Sequence, residues 1–236
     1  MGKAQMIRSM CGRFTMTHDQ LELLAEDLGV RVETLPNVRP RYNIAPTDEH
    51  FIVRMVREDR EVLPAKWGLI NAWAKDARRA AMQINARAET LETRPAYRKA
   101  FEKRRCIVPA DGFFEWTGPK EKRQPFWFHR PDGGLLYFAG LYESWQPKPG
   151  EWQRTFTIVT TNANELLARV HDRMPVIVAR EDIDDWIGPG VALSRVRELL
   201  APPPADVLVA RRVSDRVNSV RYDAPDLLDE VPGPPP

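Results

Sequence analysis

Five short segments of the 236-residue chain combine reactive or polar side chains with turn-forming or aromatic neighbours. They are residues 11–14 (CGRF), 41–46 (RYNIAP), 85–89 (NARAE), 112–116 (GFFEW) and 171–175 (HDRMP). Core packing explains these residue types poorly, and segments of this kind on a rigid sheet often form active sites. Cys11 most needs an explanation, because no apolar periodicity surrounds it and its thiol is a potential nucleophile.

Glu115 and His171 are the candidates for proton transfer. Glu115 lies between aromatic residues, where desolvation is expected to raise the pKa of a carboxyl group toward neutrality. The imidazole of His171, with an ordinary pKa of about 6.5, suits the same work at neutral pH. Each residue also has an ordinary interpretation, Glu115 as a solvated strand residue and His171 as a structural histidine.

The five segments, in this order and with Trp67-Gly68 and Ile158-Val159-Thr160-Thr161 between them, resemble the SRAP (SOS response-associated peptidase) family over residues 10–220. Members of that family include sensors that crosslink to abasic sites in DNA. The resemblance implies that a mature N-terminal Cys11 captures the aldehyde of an abasic site in single-stranded DNA. The amine forms an imine, and the thiol then closes a thiazolidine ring that shields the lesion in a covalent crosslink.

The resemblance also implies which residues surround Cys11. The catalytic set is Cys11, Asn85, Glu115 and His171, with Asn85 hydrogen-bonded to the amine or to the opened sugar. The DNA-binding set is Arg13, Asn43, Trp67, Arg87, Trp116 and Thr160. In this second set the arginines contact phosphates, the tryptophans stack on or wedge apart bases, Thr160 lines the pocket and Asn43 comes from the matching RYNIAP segment.

Several of these residues have structural alternatives that the sequence leaves open. The two tryptophans are core aromatics by default. Arg87 could pair with Glu89 or Glu92 instead of a phosphate. Asn85 could cap a helix that begins in the segment after it.

Ten residues precede Cys11, whereas in the family the cysteine directly follows the initiator Met. While Met10 is attached, the nitrogen of Cys11 is an amide, which cannot form the imine. We therefore expect residues 1–10 to be absent from the mature protein. Either translation starts at Met10, which is then trimmed, or the thiol of Cys11 attacks the Met10 carbonyl with help from Glu115 or His171, and water hydrolyses the resulting acyl group.

Two other functions compete with this interpretation. A thiol peptidase or amidase acting on other proteins would use Cys11 as the nucleophile and His171 as its base. The sequence shows no signature of the peptide-binding cleft that such an enzyme needs. A protein that binds single-stranded DNA through arginine and tryptophan alone would not depend on Cys11 at all.

Composition limits the class of protein. A hydrophobic fraction of 43% indicates a folded globule, and no stretch approaches the roughly 20 apolar residues that span a bilayer. The first ten residues lack a secretory signal, so we expect a cytoplasmic bacterial protein without membrane contacts, located at the nucleoid when bound to DNA. The net charge of +2 requires a local groove for DNA. We expect a monomer that binds single-stranded DNA, including junctions with double strands.

The sequence indicates neither a metal nor an organic cofactor. Its two cysteines, Cys11 and Cys106, form no CxxC pair and give no recognisable zinc spacing. Cys106 lies in the apolar run CIVPA and is expected to be a small buried hydrophobe. The glycine-rich patterns that bind nucleotides are also absent from the sequence.

Strands and helices are mixed without a regular βαβ alternation. Strands are predicted over residues 11–15, 51–56, 61–68, 106–110, 112–117, 125–130, 135–142, 156–160 and 207–213, and helices over 17–28, 95–104, 163–170, 181–187 and 191–200. This pattern favours an α+β fold with a mostly antiparallel, barrel-like β core and peripheral helices. We expect one domain over residues 11–222 and a flexible proline-rich tail over residues 223–236.

Overall fold

The computed structural model of the protein describes residues 11–78 and 82–236, so the ten residues before Cys11 lie outside the described part of the chain. The strands are β1 (Phe14–Met16), β2 (Arg41–Ile44), β3 (Glu49–Val56), β4 (Asp59–Trp67), β5 (Asn85–Arg87), β6 (Arg105–Ala110), β7 (Gly112–Thr117), β8 (Gln124–His129), β9 (Leu136–Lys148), β10 (Glu151–Asn162), β11 (Arg173–Pro175), β12 (Ile177–Val178) and β13 (Val209–Arg212). The helices are α1 (Leu21–Leu28), α2 (Pro95–Lys103), α3 (Ile183–Ile187) and α4 (Leu193–Glu198).

Five strands close into a mixed barrel. They follow the order β10, β4, β3, β6 and β9, and β9 pairs with β10 to complete the circle. Most of these pairings are antiparallel, but β4 and β5 both run parallel to β10. The barrel interior forms the main hydrophobic core, with buried residues such as Ile107, Phe138 and Phe156. The predicted α+β fold with a mostly antiparallel, barrel-like core is therefore confirmed.

A second sheet continues from the barrel in the order β13, β8, β7, β1 and β2. Because successive side chains of a strand point to opposite faces, β7 serves both sides of this sheet. Phe113 belongs to the main core, whereas Phe114 belongs to a smaller cluster on the other face. That smaller cluster also contains Trp127, Val217 and Leu227, so residues near the C-terminus complete it.

Asp111 fixes the corner between the barrel strand β6 and the sheet strand β7. Its buried carboxylate accepts hydrogen bonds from the Thr15 hydroxyl and from both the backbone N–H and the hydroxyl of Thr17, each at 2.5 Å. These bonds hold the end of β1 against the corner. The segment that begins at Cys11 is thereby kept in register with β7.

All five predicted helices are shorter in the structure, and hydrogen bonds explain the difference for two of them. The helix predicted from residue 17 begins at Leu21, because Thr17 bonds to Asp111 and does not cap the helix. Gly29 ends that helix in the left-handed conformation, which a glycine adopts without strain. The helix predicted over residues 163–170 is only a 3₁₀ turn, since the side chain of Asn164 accepts from the Leu167 N–H at 3.0 Å and redirects the chain.

The prediction of a flexible tail over residues 223–236 is wrong for residues 223–231. The carboxylate of Asp223 accepts from the backbone N–H groups of Tyr42 and Asn43, at 2.5 and 3.0 Å. Leu227 is completely buried, and the N–H of Val231 donates to the Arg212 carbonyl at 3.0 Å. The folded domain therefore extends past residue 222, because the chain after it covers the apolar face of the second sheet.

Candidate active site around Cys11

The antiparallel pairing of β1 with β7 places Cys11 beside Glu115. The register pairs Phe14 with Phe113, and the N–H of Phe114 donates to the Arg13 carbonyl at 3.0 Å. Continuing this register toward the N-terminus places Gly12 opposite Glu115, so Cys11 is one residue away from that position. The backbone N–H of Cys11 donates to Oε1 of Glu115 over 2.6 Å.

Glu115 is a buried carboxyl group with an altered acidity. Only 2% of the residue is exposed, so the interpretation of Glu115 as a solvated strand residue is wrong. Desolvation raises its pKa from 4.5 to about 8, against the opposing effect of hydrogen bonds from the Cys11 and Trp116 N–H groups. The charge of Asp172 raises the pKa further, and Arg123 lowers it. The carboxyl group is therefore mostly protonated at pH 7, in the direction that the GFFEW segment predicts.

Cys11 is fully buried and conformationally unusual. Burial, with a smaller effect of the Glu115 charge, raises the pKa of its thiol well above the ordinary value. Its φ of +24° lies in a region that residues other than glycine rarely adopt. This torsion includes the bond to residue 10, so the unusual backbone belongs to the chain with residues 1–10 attached.

Strand β10 brings two further segments of the site together. It pairs in parallel with β5, where Ile158 lies opposite Asn85, and antiparallel with β11. The side-chain amide of Asn85 donates to the carbonyl of Cys11 at 3.4 Å, and the Tyr97 hydroxyl donates to the Asn85 carbonyl at 3.2 Å. Asn85 caps none of the neighbouring helical turns. Its side chain is instead placed against Cys11.

His171 lies in the turn that leads into β11, with 11% of its side chain exposed. Its Nδ1 accepts a hydrogen bond from the Arg173 backbone N–H at 3.0 Å. The same nitrogen lies 3.1 Å from Oδ1 of Asp172. Asp172 is also the acidic neighbour that acts on Glu115, so the two candidate proton-transfer groups share one charged neighbour.

Arg173 and Glu89 are structural residues of the site that the motif analysis did not single out. Both terminal nitrogens of the buried Arg173 bond to the carboxylate of Glu89, one of them at 2.9 Å. Arg173 also donates to the Thr160 carbonyl and to the side chain of Asn162, both at 2.7 Å. These bonds join the segment after β5 to the turn that carries His171. The sequence offered one indication of this ion pair, because the two residues carry opposite charges and belong to two of the five segments.

Two residues predicted to contact DNA are buried and hydrogen-bonded inside the fold. Trp67 has no exposed surface, and its Nε1–H donates to the Ile84 carbonyl at 2.9 Å. Its ring packs against Phe14 with centroids 5.1 Å apart, so it offers no face to a base. Asn43 is 1% exposed, and its amide donates to three carbonyl groups of residues 217, 219 and 222. Both positions are corrected to structural roles.

The other predicted DNA contacts differ in their accessibility. Trp116 is half-buried, and its Nε1–H donates to the side-chain oxygen of Asn218 at 2.8 Å. Arg87 is exposed and Arg13 half-buried, with Nη1 of Arg13 donating to the Gly12 carbonyl at 2.8 Å. Thr160 is fully buried beside the site. Trp116, Arg13 and Arg87 therefore keep surface that a bound strand could contact.

A groove next to α2 adds an exposed aromatic residue that the sequence analysis missed. It has a volume of about 440 Å³ and is lined by Trp73, Pro95, Arg98, Lys99 and Glu102. Trp73 is 72% exposed. The groove is linked to the site because α2 carries Tyr97, which bonds to the Asn85 carbonyl. An exposed tryptophan in a polar, charged segment was the available signal.

Two kinds of feature are absent from the described residues. No helix among them is long and apolar enough to cross a membrane. Within the same residues, no group of three or more histidine, cysteine or acidic side chains is arranged to hold a metal ion.

Most of the chain is similar to known proteins. A family model described as SOS response associated peptidase (SRAP) matches residues 10–220. Abasic site processing protein YoqW of Bacillus subtilis (strain 168) is 38% identical over 225 residues, which cover 93% of this chain and 99% of YoqW. Abasic site processing protein YedK of Escherichia coli (strain K12) is 31% identical over 227 residues, or 94% and 100% of the two chains. A solved structure from Bacteroides thetaiotaomicron matches with a TM-score of 0.83 and 26% identity, covering 94% of this chain and 100% of that one.

Proposed function

The chain belongs to the SRAP family, and we propose that its mature form captures abasic sites in single-stranded DNA by a covalent crosslink to Cys11. The contact of the Cys11 nitrogen with Oε1 of Glu115 at 2.6 Å carries this proposal. It places a proton acceptor and donor at the atom that would attack the sugar aldehyde. The names of YoqW and YedK, abasic site processing proteins, support the same substrate.

The reaction uses both nucleophiles of an N-terminal cysteine. The amine of Cys11 adds to the aldehyde carbon, and loss of one water gives an imine. The sulfur then adds to the same carbon, and the thiol proton moves to the imine nitrogen. An amine, a thiol and an aldehyde thus become a thiazolidine and one water, with no other reactant.

Glu115 is suited to move these protons. An α-amino group has an ordinary pKa of about 7.7–8.0, and the pKa of Glu115 is about 8 in the full chain, where the neighbouring Cys11 nitrogen is an uncharged amide. Because the two values are close, a proton passes between the amine and the carboxyl group at little cost. The neutral carboxylic acid also gives a proton to the ring oxygen as the sugar opens. His171 assists loss of water from the carbinolamine, and Asn85 orients Cys11 and the opened sugar.

The proposed mature form begins at Cys11. In the full chain the Cys11 nitrogen is an amide and has no free electron pair for the aldehyde. Removal of residues 1–10 turns that nitrogen into an amine beside Glu115 and removes the torsion that now has φ of +24°. Both routes, translation from Met10 and attack of the thiol on the Met10 carbonyl, give this same species.

The exposed and half-buried aromatic and basic residues around the site would hold the strand. Trp116 follows Glu115 directly, and bases that stack on such a ring gain about 1–3 kcal/mol each. Arg13 and Arg87 lie on the two segments that flank Cys11 and suit phosphate contacts. Trp73, in the groove beside α2, offers a second exposed ring. A single strand exposes the base faces that these rings need.

A thiol peptidase acting on other proteins is less well supported. Such an enzyme needs an accessible thiolate with a lowered pKa. The thiol of Cys11 has no exposed surface, and burial raises its pKa. The Nδ1 of His171 is engaged by Arg173 and Asp172.

The proposal is tested with a protein that starts at Cys11, prepared by removing a cleavable N-terminal tag. Incubation with a labelled single strand carrying one abasic site should give a heat-stable adduct on a denaturing gel. The full chain, with its leader confirmed by intact mass, should give none at early times. If folded protein beginning at Cys11 forms no adduct, the proposed function is wrong. Adduct formation by Cys11→Ala would show non-covalent binding followed by an unrelated reaction.

A further inference from the structure

The Nδ1 atom of His171 faces two groups that make opposite demands on it. The Arg173 backbone N–H lies 3.0 Å away as a hydrogen-bond donor, and the Asp172 carboxylate oxygen lies 3.1 Å away as an acceptor. A ring nitrogen accepts from an N–H only when it carries no proton, and it donates to a carboxylate only when it does. Each partner therefore matches one protonation state of the ring.

The two partners differ in how firmly they are held. The Arg173 amide is fixed because its buried side chain bonds to Glu89, Asn162 and the Thr160 carbonyl. The Asp172 side chain is 80% exposed, although its backbone carbonyl accepts from the Ala163 N–H at 3.0 Å. The neutral ring is thus oriented by a rigid donor, with its proton on Nε2. The charged ring is stabilised by a carboxylate that is free to adjust.

Asp172 also acts on the carboxyl group beside Cys11. Its negative charge is one cause of the raised pKa of Glu115, after the larger effect of burial. The other charged groups here are Arg123, which opposes Asp172 at Glu115, and Arg173, whose backbone N–H contacts His171 while its side chain pairs with Glu89. Among the described residues, Asp172 is therefore the carboxylate that acts on both Glu115 and His171.

We infer, on the basis of the proposed function, that Asp172 is a positioning residue that couples proton uptake at His171 to proton retention at Glu115. With Asp172 charged, His171 takes up a proton without turning its ring, since Nδ1 passes from the Arg173 amide to the adjacent carboxylate. The same charge disfavours ionisation of Glu115 while the aldehyde is being attacked. Asp172 itself touches no reacting atom in this scheme.

The test is Asp172→Asn in protein that begins at Cys11, with Asp206→Asn as the matched control. Asp206 is an exposed aspartate on the 3₁₀ turn Ala205–Val207, so its replacement removes the same charge elsewhere. NMR of the histidine ring, without DNA, should show Nδ1 unprotonated in the neutral state. In Asp172→Asn the ring titration should move to lower pH by about 0.5 pH unit, the shift expected for loss of one partly exposed charge partner.

Crosslinking rates from pH 5 to 9 give the second readout. In Asp172→Asn both limbs of the profile should move to lower pH, with a loss of about twofold to fivefold at pH 7.5. Asp172→Glu should recover most of the rate, and Asp206→Asn should match the wild type. A ring titration that is unchanged in Asp172→Asn, or a neutral ring protonated at Nδ1, would overturn the inference while leaving the adduct intact. Absence of any wild-type adduct would instead refute the proposed function, and the NMR titration would still decide this inference.

Discussion

The two cysteines of the chain lie in regions that burial alone does not distinguish. Cys11 and Cys106 are both free and both 0% exposed. Burial raises the thiol pKa of each above its ordinary value. Their surroundings differ, because Cys106 lies among barrel residues such as Val108 and Gly140, whereas Cys11 contacts a carboxyl group and an amide.

This difference identifies where chemistry is possible in the fold. The backbone carbonyl of Cys106 accepts from Trp186 Nε1 at 2.9 Å, a bond that holds α3 on the barrel. The backbone nitrogen and carbonyl of Cys11 instead contact Glu115 and Asn85. A buried thiol is common in a hydrophobic core. A carboxyl group buried beside it costs free energy, and a functional role explains why such a group is kept there.

Replacing each cysteine with alanine should give the largest difference between the two positions. In protein beginning at Cys11, Cys11→Ala should abolish the heat-stable adduct, because no sulfur remains to close the ring. Cys106→Ala should form the adduct at the wild-type rate while losing about 1 kcal/mol of stability through a small core cavity. Denaturing gels and urea titrations measure the two properties. Loss of the adduct in folded Cys106→Ala would contradict the comparison.

Glu115→Gln should have the next largest effect. The glutamine still accepts a hydrogen bond from the Cys11 nitrogen but cannot exchange protons, so adduct formation should slow by about 100-fold or more. The rate should also lose the pH dependence associated with a pKa of about 8. A single-turnover time course at several pH values measures both effects. A rate within threefold of the wild type would remove Glu115 from the mechanism.

In the full chain, the same substitution makes a prediction about stability. Folded Glu115 keeps its proton up to about pH 8, whereas the unfolded group releases it near its ordinary value of 4.5. The folded state therefore loses stability as pH rises through this range, by at most about 5 kcal/mol. Glu115→Gln should not show this loss, so its advantage over the wild type should grow from pH 5 to pH 8.5. Parallel curves for the two proteins would contradict the raised pKa.

The sequence predicted the strands better than the helices. Strand β7 has the predicted bounds 112–117, because its aromatic residues alternate between two buried clusters. Strands β9 and β10 run past their predicted ends, since pairing with each other extends them through the exposed residues of a hairpin. The short helical turn at residues 167–169 depends on a hydrogen bond to the side chain of Asn164. The periodicity of hydrophobic residues cannot reveal such a bond.

The candidate site was predicted in residue type but not in every role. The segments that hold Cys11, Asn85 and Glu115 meet as the resemblance implies. The roles of Asn43 and Trp67 were wrong, because their partners are carbonyl groups on segments that fold back from other parts of the chain. The pairing of Arg173 with a glutamate 84 residues away likewise becomes visible only when β10 joins the two segments.

A fourth prediction concerns the packing around Cys106. A Cβ atom added at Gly140 would lie 2.9 Å from the Cys106 sulfur and 2.9 Å from a methyl group of Val108. Gly140→Ala should therefore destabilise the fold by about 1–3 kcal/mol, without changing the crosslinking rate of the folded fraction. Combining it with Cys106→Ala should recover part of the loss, measured as a coupling energy in a double-mutant cycle. Strict additivity would show that the sulfur is not the obstacle.

The smallest expected effect concerns the thiols themselves. In the folded full chain at pH 8, both thiols should react with iodoacetamide far more slowly than a free cysteine, because burial restricts access and raises each pKa. The negative charge of Glu115 adds to the raised pKa of Cys11. Glu115→Gln should therefore speed alkylation of Cys11 by about twofold to threefold and leave Cys106 unchanged. Peptide mass spectrometry measures the alkylation rate at each position. Equal acceleration at both cysteines would indicate a general loosening of the fold, and would contradict an electrostatic effect of Glu115 on Cys11 alone.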